Sequence, residues 1–122
     1  MCRVEDADPW KVFHGEFRTA RKTHKCGECR REIEPGERYY HASGIMSGYD
    51  KWHTHKMCAH CNYAAQWLMA ECNGYLFGGV QEELEEHWHE EPLMRSPDLG
   101  RRIIWMRRKW RDKSGDLIPV PT

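Results

Sequence analysis

The sequence predicts a small α+β domain, and three observations carry this prediction. Two C-x2-C pairs are present, and 28 residues separate Cys29 of the first pair from Cys58 of the second. Turn residues divide the stretch between the pairs into short runs that are typical of β-strands. After the second pair, apolar residues recur at intervals of three and four, which indicates amphipathic helices. A chain of 122 residues is expected to form one domain overall.

The aliphatic content is low for a chain of this length, with 18 Leu, Ile, Val and Phe residues among 122. Six Trp, five Tyr and six Met residues replace part of the missing apolar surface. Aromatic side chains bury large areas each, but the predicted core is still thin. We therefore expect an additional interaction to stabilise the fold.

Targeting and membrane signals are absent from the sequence pattern. The longest apolar runs have four or five residues, which is too short to span a bilayer. The first 13 residues carry acidic side chains where a signal peptide needs an apolar stretch. We expect a cytoplasmic protein in a reducing compartment, where paired cysteines are more often metal ligands than disulfides.

Residues 1–23 are predicted to form an N-terminal extended segment. The first nine residues are polar and close at Pro9. From residue 10 to residue 25, aromatic residues are mixed with Thr and Arg without helical spacing. We therefore interpret this stretch as extended.

Residues 24–74 are predicted to contain a β-hairpin and a helix. Pro35-Gly36 forms a turn before a short strand at residues 38–42, and a second turn near Ser47-Gly48 precedes a returning strand at residues 49–55. A helix is expected from about residue 59 to a stop at Asn73-Gly74. Its apolar stripe consists of Tyr63, Ala64, Trp67, Leu68 and Cys72.

Residues 75–122 are predicted to add an acidic helix with a basic C-terminal element packed on it. Val80, Leu84 and Trp88 form the apolar stripe of the acidic helix, which ends before Pro92.

The basic element is predicted to be a third helix, because Ser96-Pro97 is a typical helix start. Gly115 is its expected stop, and its apolar face consists of Leu99, Ile103, Met106 and Trp110. A hairpin formed by residues 103–110 and 117–120 is the alternative for this element.

The two cysteine pairs, Cys26/Cys29 and Cys58/Cys61, have the spacing of ligands for one metal ion. Two intervening residues allow both sulfurs of a pair to project to the same side of a tight turn, and Gly27 eases the first of these turns. Four sulfurs at about 2.3 Å in a tetrahedron are the common coordination of structural zinc. We therefore predict one structural Zn²⁺ ion. The spacer is longer than the roughly 15 to 20 residues usual in zinc ribbons, so it must fold back on itself, as the hairpin would.

The fourth ligand stays open between Cys61 and His55, because His55 and Cys58 also form an H-x2-C pair. The four-cysteine set is preferred because its second pair would begin the predicted helix. The positive end of a helix dipole favours anionic thiolates at that position.

The order of zinc knuckle, hairpin, second cysteine pair and helix resembles the treble-clef zinc finger. The residues that carry the resemblance are similar to the corresponding stretch of LIM domains and of the zinc finger in poly(ADP-ribose) polymerases. They are Cys26-Gly-Glu-Cys29, Ile33, Pro35-Gly36-Glu37, Trp52 and the H-x2-C pair, within residues 24–72. LIM domains carry a second zinc site directly after the first, where this chain has only Cys72. The resemblance therefore implies a treble-clef-like fold but no LIM partners.

The stretch from Arg21-Lys-Thr-His-Lys-Cys26 through Gly36-Glu37-Arg38-Tyr39 also looks like small zinc-binding proteins predicted from bacteriophage and prophage genomes. Those proteins have no established common activity. This resemblance implies a setting in a bacterial host cell, without a mechanism.

A catalytic role is an alternative, because HNH nucleases are also built on the treble clef. Such a site needs a histidine general base and further metal-binding His or Asn residues. His53, His55 and Asn62 are the nearest candidates, but the Asp-His pair typical of these nucleases is absent, and no histidine lies late in the first helix. We therefore expect no catalytic residues and no enzymatic activity, with an HNH-type nuclease as the less favoured alternative.

The formal net charge is zero, with 19 basic and 19 acidic residues, but the charges are separated along the chain. Basic candidates for partner or nucleic-acid binding form two clusters: Arg21, Lys22, Lys25, Arg30 and Arg31 in the first, and Arg101, Arg102, Arg107, Arg108, Lys109 and Arg111 in the second. Between them lies a candidate acidic face: Glu82, Glu83, Glu85 and Glu86. Pairing between the acidic and basic elements, or simple exposure to water, is the alternative interpretation.

Two binding functions follow as hypotheses. A nucleic-acid-binding zinc finger would use the basic clusters, and its affinity would fall steeply with salt. A protein-interaction module, such as a phage-encoded protein that binds and inhibits a host protein machine, would use the acidic face as a nucleic-acid mimic. No membrane contact and no small-molecule substrate are expected, and the oligomeric state stays open.

Overall fold

A computed structural model of the chain describes residues 10–46 and 52–121 and has an α+β architecture. Within these residues a three-stranded antiparallel sheet in the order β1-β4-β5 is accompanied by a two-stranded β2-β3 ladder and three α-helices. The strands are β1 Trp10–Thr19, β2 His24–Lys25, β3 Glu32–Ile33, β4 Arg38–Met46 and β5 His53–Cys58. The helices are α1 Ala59–Cys72, α2 Val80–Glu90 and α3 Pro97–Arg107, with a 3₁₀ turn at Pro92–Met94.

The predicted hairpin is formed by the antiparallel strands β4 and β5, which pair from Tyr39↔Cys58 to Gly44↔His53. Its bounds differ from the sequence prediction. The first strand continues to Met46, and the returning strand runs to Cys58 rather than ending at residue 55. The pairing of β5 with β4 therefore places Cys58, the first residue of the second cysteine pair, at the end of a strand. The predicted turn near Ser47-Gly48 lies outside the described residues.

Strand β1 lies in the predicted N-terminal segment and belongs to the main sheet. It pairs with β4 from Thr19↔Arg38 to Trp10↔Met46, with a register irregularity near its start. The sequence predicted an extended backbone for this stretch but no partner strand. The sheet now places Arg18 directly opposite Tyr39.

Helix α1 confirms the predicted helix after the second cysteine pair. It ends at Asn73, which adopts the left-handed conformation (φ 58°) and closes the helix through its backbone N–H to Met69 O. The predicted apolar stripe packs inward through Ala64, Trp67 and Leu68, all of which are buried.

Helices α2 and α3 pack against α1 and against each other. Val80 and Leu84 of α2 are fully buried. Leu99 of α3 is also fully buried, and Met106 of α3 is almost fully buried. Ser96 caps α3 as predicted, because its side chain accepts a hydrogen bond from the Leu99 N–H at 3.1 Å. No helix in the described residues combines the length and the apolarity that a membrane span requires.

The end of α3 corrects both predictions for the basic C-terminal element. The helix stops at Arg107 rather than near Gly115, because Lys109 and Trp110 adopt left-handed backbone conformations (φ 54° and 61°). The chain then reverses through a turn at Gly115 (φ 85°), and Arg111 forms an isolated bridge with Leu117. The alternative hairpin is also wrong, because its first half is helical. The reversal directs Trp110 into the core, where it is fully buried.

Candidate metal centre

The first cysteine pair lies in a tight knuckle between β2 and β3. Cys26 N donates to Arg31 O at 2.9 Å, and Arg30 N donates to Cys26 O at 3.2 Å, which closes the loop. Arg30 adopts the left-handed conformation (φ 69°) that this closure requires. Gly27 leaves room for the His55 ring, because a Cβ atom at this position would lie 2.5 Å from the Cε1 atom of His55.

The second pair joins strand β5 to helix α1, as the sequence predicted. Cys58 ends the strand and is the N-cap of α1, and its sulfur accepts a hydrogen bond from the Cys61 N–H at 3.4 Å. A cysteine sulfur here takes the place of the usual Ser, Thr or Asp oxygen. Both thiols of the pair therefore lie at the positive end of the helix dipole, which stabilises their anionic forms.

The four thiols meet in a single buried cluster that could hold a metal ion. The Sγ atoms of Cys26, Cys29, Cys58 and Cys61 all lie within 4.8 Å of one another, and the Cys29 and Cys58 sulfurs are 3.9 Å apart. Sulfurs at the corners of a tetrahedron with metal–sulfur bonds of about 2.3 Å would be separated by about 3.8 Å. At most 4% of any of these residues is exposed. This geometry fits four-coordinate binding by sulfur alone.

The surroundings of the sulfurs favour thiolates. Cys26 Sγ accepts hydrogen bonds from the backbone N–H groups of Glu28 (3.4 Å) and Cys58 (3.3 Å). The indole N–H of Trp110 donates to Cys61 Sγ at 3.2 Å. Such N–H donors stabilise a thiolate more than a neutral thiol.

The ionisation of the four thiols is strongly coupled. Hydrogen bonds from the other three thiols hold the pKa of Cys26 below its ordinary value. Burial and the neighbouring thiols of Cys26, Cys29 and Cys58 raise the pKa of Cys61 well above its ordinary value. The four thiols therefore do not ionise equally, and four buried thiolates require a cation between them.

His55, the alternative ligand, points away from this cluster. Its ring stacks on Phe77 with a centroid distance of 4.6 Å, and its Nε2 atom lies 2.8 Å from Glu28 Oε2. The set of ligand atoms that the structure brings together is the four-sulfur set. His55 instead packs against the knuckle from outside.

Glu28 connects the knuckle to helix α2, a role that the sequence did not indicate. Its carboxylate is buried and accepts hydrogen bonds from the backbone N–H groups of Gly78 (2.6 Å) and Val80 (3.1 Å). These groups lie at the start of α2, which has no side-chain cap of its own. Glu28, which lies inside the first C-x2-C pair, therefore caps a helix that begins 52 residues later in the sequence.

Arg31 and His60 form a second connection around the metal centre. The buried Arg31 guanidinium donates two hydrogen bonds to the Glu37 carboxylate (2.8 and 3.1 Å), and its Nη2 atom lies 3.1 Å from His60 Nδ1. Burial lowers the pKa of His60, and a neutral ring whose Nε2–H donates to Ile118 O (2.6 Å) satisfies both contacts. The C-terminal residues are thereby attached to the first turn of α1.

The predicted basic clusters are only partly available for a partner. Arg31 is buried as described, and Arg102 is buried against Tyr63, whose carbonyl accepts from its Nε atom at 3.3 Å. Arg107 pairs with Glu85 (2.7 Å), and Arg111 donates to Gly115 O (3.0 Å). Arg107 is nevertheless exposed, and the other exposed members are Arg21, Lys22, Lys25, Arg30, Arg101, Arg108 and Lys109.

The predicted acidic face is reduced in a similar way. Glu83 is buried and accepts a hydrogen bond from the Leu76 N–H at 3.0 Å, while Glu85 pairs with Arg107 across α2 and α3. Glu82 is exposed and Glu86 half-buried. The acidic and basic elements therefore pair with each other through Glu85 and Arg107, as the alternative interpretation of the charge pattern anticipated.

Comparison with known proteins finds no relative: no family model, no curated protein and no solved structure matches the chain.

Replacing Glu28 by Ala is expected to destabilise the metal-loaded protein by about 3 kcal/mol, because the backbone N–H groups of Gly78 and Val80 at the start of α2 lose their acceptor. Urea unfolding at a fixed zinc concentration measures this change. The matched control is Glu32→Ala, which removes an exposed carboxylate nearby and should change the unfolding free energy by less than about 0.5 kcal/mol. Equal stability of the two variants would show that Glu28 does not hold α2 in place.

Replacing Trp110 by Phe keeps most of the ring but removes the N–H donor to Cys61 Sγ. We expect the dissociation constant for zinc to rise by about tenfold, as for other groups that hydrogen-bond to metal ligands. Competition with a chromogenic chelator measures this constant, and Trp105→Phe, the same replacement on the preceding helix α3, serves as the control. An unchanged dissociation constant in Trp110→Phe would mean that the indole N–H does not support the metal site.

Proposed function

We propose that the chain is a non-enzymatic module in which one structural Zn²⁺ ion maintains a treble-clef-like fold that binds a macromolecular partner. The observation that carries the proposal is the buried cluster of four cysteine sulfurs within 4.8 Å of one another. Tetrahedral four-sulfur sets bind zinc or iron, and zinc is favoured here because it needs no redox partner and no ligand besides the four cysteines.

A structural rather than catalytic role is supported by the closure of the site. Catalytic zinc sites use three protein ligands and keep one position open for water or substrate. Here four protein sulfurs converge, all four residues are buried, and the Trp110 indole packs against Cys61. A zinc ion held by this set would have no position for water.

The treble-clef description is supported by the order of the elements. The knuckle at Cys26 is followed by the β4-β5 hairpin, and the second pair begins α1. Helices α2 and α3 then form an addition that packs on α1. In this proposal, zinc replaces the large aliphatic core that the composition lacks.

A nucleic acid is the partner that the proposal favours. A host protein machine, as expected for a phage-encoded inhibitor, would be bound through the acidic helix. Glutamates of that face are already engaged within the chain: Glu83 with Leu76 and Glu85 with Arg107. Most of the first basic cluster, in contrast, is exposed.

The identity of the ligand set is tested by counting zinc in purified variants with elemental analysis. We expect one zinc ion per chain in the unaltered protein and in His55→Ala, and loss of stoichiometric zinc in Cys61→Ser. Retention of zinc in Cys61→Ser together with its loss in His55→Ala would replace the four-cysteine set by the Cys₃His set. Absence of zinc from all three proteins would contradict the proposed function itself.

The non-enzymatic assignment predicts that the zinc-loaded protein leaves DNA intact in the presence of Mg²⁺. Supercoiled plasmid is the sensitive substrate, because a single nick changes its mobility on a gel. The accumulation of nicks in proportion to enzyme concentration, and its disappearance in His53→Ala, would support the nuclease alternative instead.

A further inference from the structure

A basic groove of about 780 Å³ lies beside the knuckle, on the side of the sheet formed by β1 and β4. We use the term basic groove for the depression lined by Arg18, Thr19, Arg21, Lys22, His24 and Tyr39. It combines the C-terminal end of β1, the loop that follows it and the start of β2. The cysteine sulfurs do not line it, so it is separate from the metal centre.

The strand register extends this positive surface beyond the groove. Arg18 lies opposite Tyr39, and His41 lies opposite both Glu16 on β1 and Lys56 on β5. Residues directly opposite each other in an antiparallel sheet share a face, and alternate residues along a strand return to it. Arg18, His41 and Lys56 therefore lie on the same face of the sheet.

The positive charge of this region is only partly neutralised. Arg18 pairs with Glu16 at 2.7 Å. In the described part of the chain, Arg21 and Lys22 are exposed and lie within 4.0 Å of no carboxylate. Burial lowers the pKa of His41, and the charges of Arg18 and Lys56 lower it further, as expected in a positive field.

We propose that the basic groove binds the phosphate backbone of a nucleic acid without reading its sequence. Arginine and lysine side chains at the rim supply the phosphate contacts. The groove offers little base stacking, because Tyr39 is only 5% exposed and its ring is covered by His24 at a centroid distance of 5.0 Å. Affinity must then come mainly from charge. This inference rests on the proposed function, since the knuckle that begins at Cys26 fixes the end of the groove.

The test measures binding of the zinc-loaded protein to a fluorescein-labelled oligothymidylate, and to a duplex of the same length, by fluorescence anisotropy over a range of salt concentrations. The double variant Arg21→Glu/Lys22→Glu changes the groove. The matched control, Arg95→Glu/Lys113→Glu, makes the same change of charge at two exposed basic residues outside both clusters of binding candidates.

We expect the groove variant to lose affinity by on the order of tenfold or more at low salt. The slope of log affinity against log salt for the single strand should fall in magnitude by about 1.4, or about 0.7 for each lost phosphate contact. The control variant should keep the slope of the unaltered protein. The duplex arm shows which form of nucleic acid binds more tightly, and tighter binding of either form supports the proposal.

Three results would overturn it: no binding of either oligonucleotide at low salt, an equal loss in both variants, or equally tight binding of polyglutamate, which would indicate an acidic protein partner. Zinc content and circular dichroism are measured on the same samples. Full zinc content with no nucleic-acid binding would reject the groove but not the zinc-stabilised module. If Arg21→Glu/Lys22→Glu loses zinc, Arg21→Gln/Lys22→Gln replaces it as the groove variant. The slope of log affinity against log salt should then fall in magnitude by the same amount.

Discussion

Four buried sulfurs placed within 4.8 Å of one another are the constraint on which the rest of the structure depends. Without a cation the four thiols cannot all ionise, because burial and the neighbouring thiols oppose the ionisation of Cys61. A divalent ion removes that penalty and joins two segments that are distant in sequence. Structural zinc sites contribute roughly 10 to 16 kcal/mol of apparent binding free energy in small fingers. A chain with a thin aliphatic core can depend on such a contribution.

The residues between and beside the cysteines transmit this constraint to the other elements. Glu28 caps α2, Gly27 allows His55 to approach the knuckle, and the Trp110 indole reaches Cys61 from beyond the end of α3. His60 connects the first turn of α1 to the C-terminal residues through Ile118. All three helices and the C-terminal reversal are thus attached to the same small centre. Loss of the metal should therefore affect the whole described structure.

Much of this arrangement could be predicted from the sequence, because it is encoded in short-range patterns. The C-x2-C spacing, the turn at Pro35-Gly36 and the apolar stripe of α1 each depend on neighbouring residues. The early end of α3 could not be predicted in this way. Its apolar spacing continues to Trp110, but burial of that indole beside Cys61 selects left-handed conformations at residues 109 and 110. Tertiary packing there overrides helical periodicity.

The same limit applies to charges. Arg31 and Glu28 were members of a basic stretch in the sequence, yet both are buried, and their partners Glu37, Val80 and His60 come from other elements. Charge counts along a chain do not reveal which side chains face inward. The exposed residues Arg21 and Lys22 of that stretch line the basic groove. The groove could not be predicted from the sequence, because its position depends on the pairing of β1 with β4.

The most direct test of the central claim is a titration of the metal-free, reduced protein with Zn²⁺, followed by far-ultraviolet circular dichroism and tryptophan fluorescence together. The account predicts that both signals change in parallel and reach their final values at one equivalent of zinc, because the helices and Trp110 depend on the same centre. Native circular dichroism in the metal-free protein, unchanged on addition of zinc, would contradict it.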